Sequence, residues 1–92
     1  MQFMITHRHT PDNCMADDPA PVKKVANDAD HAKECGVKVL SSHLAPPEHI
    51  FYFLVEADDY GKVIAFLRPL MTKGDHDIVP VQPASEALGQ FS

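Results

Sequence analysis

Alternation and periodicity divide the chain into strand-like and helix-like stretches. QFMITHR alternates as a half-buried strand should, with Phe3, Ile5 and His7 on one side and Met4, Thr6 and Arg8 on the other. HTPDNCMADDPAP reads as a loop, because Thr10-Pro11-Asp12-Asn13 has turn chemistry at every position. Asp18 is placed to cap a helix with Pro19 at its first position, where the missing N–H costs nothing. Val22, Val25, Ala29, Ala32 and Cys35 then recur at spacings of three and four, a narrow apolar stripe that Gly36 ends. VKVLSSHL is a second strand and HIFYFLVEA a third, the most hydrophobic, joined through APPE as a rigid hairpin connection. Asp58 is expected to cap a second helix bearing Val63, Ile64, Phe66, Leu67, Leu70 and Met71, with Pro69 ending or kinking it. Lys73-Gly74-Asp75 leads out to HDIVPVQP, a short fourth strand whose Pro80 suits an edge or a bulge. ASEALGQFS is expected to form a last helical turn.

The order β-α-β-β-α-β predicts an α+β, ferredoxin-like domain with an antiparallel four-stranded sheet. Right-handed crossovers in both halves give the strand order 4-1-3-2, with strands one and three central. Both helices then cover a single face. The other face carries either Tyr52, Leu54 and Leu40 or Phe51, Phe53 and Val39, since a shift of one residue exchanges the two sets. Either set is too apolar to leave wet, so two sheets are expected to pack face to face in a homodimer.

Composition narrows the partners more than the fold. Ninety-two residues make one small domain, 1–92, with a modest core, and 45% hydrophobic content is ordinary for a globular chain. Eight Lys and Arg against 13 Asp and Glu, a net charge of −5, argue against nucleic-acid binding. Lys23, Lys24, Lys33 and Lys38 read as a solvated helix face and its exit rather than a phosphate-binding patch. Met1 leads straight into a strand with no secretory pattern, and no apolar run approaches the roughly 20 residues that span a bilayer. With only Cys14 and Cys35, no disulfide framework is expected; a cytoplasmic location with reduced thiols is.

The segments MQFMITH, GVKVLSSHLAPPEHIFYFLVEADD and IVPVQP together cover most of the chain, and in them it resembles the stand-alone dimeric α/β-barrel proteins. It is especially similar to a small bacterial and archaeal group within that superfamily. The resemblance implies a ferredoxin-like protomer and a barrel-like dimer. It implies little about activity, because such proteins include cofactor-free monooxygenases, haem-degrading enzymes, lactone isomerases, stress-response proteins and ligand-sensing domains. The chain has no tryptophan, so the Asn/Trp/His set of the quinone-forming monooxygenases is not recognisable in it.

Candidate chemistry concentrates where the first strand ends. His7-x-His9-x4-Cys14 offers borderline and soft donors suited to zinc, nickel, copper or iron. Spacing i, i+2 puts both imidazoles on one side of a strand, and a turn can fold Cys14 back towards them. The order 4-1-3-2 brings His76 to the same place, making His7, His9, Cys14 and His76 the expected metal ligands. A Cys14–His9 nucleophile is the rival, ranked lower because Asp12, Asp17 and Asp18 crowd that loop and would raise a thiol pKa. His43 and His49 flank the hairpin and are expected at the opposite end of the sheet from His7. His31 is expected at the surface and Cys35 in the core. Thr6, Arg8, Tyr52 and His43 would line a barrel interior as a ligand-orienting set.

These readings describe a small cytoplasmic homodimer that binds a transition metal or small ligand near the first strand's end, with no organic cofactor. The alternatives are a cofactor-free monooxygenase- or isomerase-like enzyme acting in the barrel cavity, and a non-catalytic ligand-sensing or interaction module.

Overall fold

In the computed structural model, which describes residues 1–90, the apolar runs of the chain become one antiparallel sheet with helices against it. The elements are β1 (Gln2–Arg8), α1 (Ala20–Asn27), α2 (Ala29–Glu34), β2 (Val37–Ala45), β3 (Ile50–Ala57), α3 (Tyr60–Leu67), β4 (Asp75–Val81) and α4 (Ala84–Gly89). Short 3₁₀ turns lie at Pro11–Asn13, Pro46–Glu48 and Arg68–Leu70. The strand order is β2-β3-β1-β4, which is the expected 4-1-3-2 read from the other edge and a ferredoxin-like topology.

The sheet stays open, and the dimeric α/β barrel expected from the resemblance is overturned by it. Among the described residues β2 pairs only with β3, and β4 only with β1, so both outer strands keep a free edge. Four strands with ordinary twist cannot bring those edges together; a small barrel needs about eight. The barrel cavity that was to hold Thr6, Arg8, Tyr52 and His43 is therefore not a feature of this fold.

Burial decides which way the strands face. Phe3 and Ile5 of β1 and Phe51, Phe53 and Val55 of β3 point into the core with Val63, Phe66 and Leu67 of α3, Leu70, and Val22 and Val25 of α1. Each such side chain contributes roughly 1.5–3 kcal/mol by leaving water. Met4 and Tyr52 lie on the other face and are exposed, with Leu54 half-buried beside them. That face is the one from which a homodimer was expected. A bulge between Val39 and Ser41 breaks the register of β2, leaving Leu40 without an opposite residue on β3.

Local chemistry moves several boundaries. The first helix is two helices, because Asp28 takes an extended conformation and its carboxylate accepts from the backbone N–H of His31 at 3.0 Å. An aspartate that can cap is a standing alternative to continuing the helix, and here it starts α2. That restart turns His31 inward: it is buried, not at the surface, and its Nε2 donates to the carbonyl of Phe66 at 2.8 Å. Cys35 ends α2 and packs against the core half-buried, as its place in the stripe suggested. Pro19 occupies the cap position of α1, while Asp18 accepts from the N–H of Ala20 at 3.4 Å. Asp59, not Asp58, caps α3 by accepting from Lys62 N–H at 2.9 Å, and Asp58 pairs with the Lys62 ammonium instead. Pro69 behaves as expected, since α3 stops at Leu67 and tightens into a 3₁₀ turn. Pro80 sits on the edge strand β4. The expected last helical turn is α4; residues 91 and 92 of that segment lie outside the described residues.

Candidate metal centre

The inward alternation of β1 runs Phe3, Ile5, His7, and so carries an imidazole to full burial at the end of a core row. In the β1–β4 register His7 faces His76, and His7 Nδ1 lies 3.0 Å from His76 Nε2, one donating and the other accepting. In the β1–β3 register Arg8 faces Ile50, which puts the next residues, His9 and His49, side by side. His9 N–H donates to the His49 carbonyl at 3.1 Å, and the two rings meet at 3.3 Å between His9 Nε2 and His49 Nδ1. The four imidazoles form a row, His76, His7, His9, His49, with 5.3 Å between the ring centres of the middle pair. Phe51 backs it, stacked on His7 and tilted against His9 at 5.0 Å from each.

Two backbone features hold this corner. Pro46-Pro47-Glu48 forms the turn before β3 and delivers His49 in the left-handed region, at φ 58° and ψ 40°, with no other non-glycine residue there among the described residues. L-residues other than Asn, Asp and His seldom take that conformation. Gly74, at φ +150°, lets the chain leaving α3 press on the end of β1; a Cβ there would fall 2.3 Å from the Arg8 carbonyl oxygen and 2.9 Å from the His7 ring.

Cys14 arrives from the loop. Thr10 and Pro11 carbonyls accept from the N–H groups of Asn13 and Cys14 at 3.0 and 3.2 Å, so the chain doubles back just after His9. Ligand atoms of His9, Cys14 and His49 consequently all lie within 4.8 Å of one another. The thiol is exposed and the two imidazoles are half-buried.

Charge is kept off His7, His9 and His76. Burial, reinforced by repulsion from His76 and His9, pushes His7 down to about 4 from the usual 6.5. Burial first, and His49 second, lowers His9. Burial also lowers His76, against an opposing pull from Asp75. Three of the four imidazoles are thus biased towards the neutral form that can ligate a metal. Among the described residues His7 Nε2 and His9 Nδ1 are buried without a hydrogen-bond partner, which leaves the demand of two polar atoms unmet.

The family model described as "Domain of unknown function (DUF3303)" matches residues 1–91. The chain belongs to that family. No curated protein and no solved structure matches it.

All four expected ligands are at the expected corner, but they are divided. His9 and Cys14 enter the tight triad, whereas His7 and His76 pair with each other beside it. The third member, His49, was expected at the far end of the sheet. Antiparallel pairing of β1 with β3 corrects this, because the hairpin before β3 must lie beside the end of β1. The topology already contained that signal. Thr6, Tyr52 and His43 form a cross-strand row on the open face, with Arg8 paired to Asp77 beside them, on the side of the sheet away from the inward-facing His7.

Proposed function

We propose that this protein binds one transition-metal ion through His9, Cys14 and His49. The observation that carries the reading is the convergence of those three ligand atoms within 4.8 Å. Two nitrogens bound to one tetrahedral zinc at about 2.0–2.1 Å lie about 3.3–3.4 Å apart. His9 Nε2 and His49 Nδ1 already stand at 3.3 Å, so the pair needs little rearrangement. One thiolate with two imidazoles suits zinc, copper or nickel better than magnesium or calcium, which take oxygen ligands. His7 and His76 take the supporting role, packing behind His9 and keeping that side of the site dry.

The test is metal analysis of untagged protein after equilibration with zinc, copper(II), nickel or cobalt(II) and removal of excess. The expected result is one equivalent of at least one of these ions, reduced below a tenth of an equivalent in Cys14→Ser and in His49→Ala. Stoichiometric metal that persists in both variants, or none in the parent protein, refutes the reading.

A further inference from the structure

Resting on that metal reading, we infer that the bound ion keeps an open coordination position at the Cys14 side, and that this position takes a neutral nitrogen donor, such as an imidazole or an amine, in preference to an anion. Three protein ligands are one short of the usual four, and among the described residues no fourth His, Cys, Asp or Glu joins the triad. His7 adjoins His9 with 5.3 Å between ring centres, its Nδ1 is engaged with His76, and its Nε2 is not among the ligand atoms that converge. The open side is defined by burial: Phe51 and His7 close off His9 from within, while Cys14 is exposed. A cleft runs from Cys14 along the loop, lined among others by Asp12, Asp17, Asp18 and Lys73. Three carboxylates against one ammonium make the approach negative, and the Cys14 thiolate already offsets half the charge of a divalent ion. An incoming anion therefore meets repulsion that a neutral amine or imidazole does not.

Cobalt(II) reports both levels. At low ionic strength the Cobalt(II)-loaded protein should show a thiolate-to-cobalt charge-transfer band, and its d–d bands should shift on titration with imidazole. Azide should shift them only weakly. Asp12→Asn/Asp17→Asn, which leaves Asp18 and its contact with Ala20 intact, should tighten azide binding by about threefold while imidazole binding stays within twofold. Absence of the charge-transfer band overturns the metal reading itself. A band with d–d features that neither imidazole nor azide disturbs overturns the open position alone. Azide binding that the double variant leaves unchanged overturns the selectivity.

Discussion

The two ends of β1 are built alike and mean different things. Phe3 and Ile5 at one end and His7 at the other lie on the same face and pair with the same two strands, and they are 2%, 0% and 0% exposed. Phe3 and Ile5 are satisfied by contact, because carbon asks only for close neighbours. His7 has polar atoms that each need a partner; its Nδ1 finds His76 and its Nε2 finds none among the described residues. Equal burial is therefore stabilising at the start of the strand and leaves an unmet demand at its end. That difference is the physical reason to look for chemistry at His7–His9 and not at Phe3–Ile5.

The contrast can be broken at four points, from the largest expected effect to the smallest. Ile5→Ala should lower unfolding free energy by about 3 kcal/mol, since it opens a cavity in a closed core. His7→Leu should change it by less than about 1 kcal/mol, because an orphaned polar atom leaves with the imidazole. Urea titrations of both variants give the comparison, and a His7→Leu loss as large as that of Ile5→Ala would end it. His7→Leu should also retain the metal, which separates a supporting role from ligation.

Next, Cys14→Ser should weaken metal binding by about a hundredfold, equivalent to about 2.7 kcal/mol, with little change in metal-free stability because the thiol is exposed. Competition with a chromophoric chelator measures the first quantity and thermal melting the second.

The pH dependence of the metal-free protein comes third. His7 is held near 4 when folded and returns to about 6.5 when unfolded, so the unfolded chain takes up the proton first. Stability is then complete above about pH 6.5 and falls as pH drops through the window towards 4. His9 and His76 are shifted in the same direction and steepen the loss. His7→Leu should flatten the profile between pH 6.5 and 4. An unchanged slope in that variant would show that the buried imidazole is not what titrates.

The smallest effect concerns the turn. His49→Gly relieves the left-handed backbone and should leave metal-free stability unchanged or raise it by about 0.5 kcal/mol, while removing a ligand. Opposite signs for stability and metal binding in one variant would mark His49 as kept for function.

Much of this was legible in the chain itself, for reasons that can be located. Alternation in QFMITHR and in IFYFLVEA is a local property, and both segments are strands. Pro69 and Pro80 act through one missing N–H each, and both sit where that loss is tolerated. The breaks at Asp28 and Asp59 are not local properties, because two neighbouring aspartates, or an aspartate against a continuing helix, differ by only about 1 kcal/mol, and packing decides between them. His31 followed from the first of these, since α2 restarts at Asp28 with His31 in its first turn, and the ring reaches the Phe66 carbonyl while Ala32 of the stripe stays buried.

The site divides in the same way. The amino-acid sequence by itself placed two imidazoles and a thiol within eight residues and, through strand order, brought His76 to them. The same strand order requires the hairpin that carries His49 to return beside the end of β1, although His49 was expected at the far end of the sheet. What the sequence did not determine was facing, because a period of two permits either set of residues to point inward; only the helices packed on Phe51 and Phe53 chose. Tertiary structure also decided that the sheet remains open, for closure depends on how edges meet and no local pattern encodes that. The donor atoms are local facts; their convergence within one coordination sphere is a consequence of three segments sharing a sheet corner.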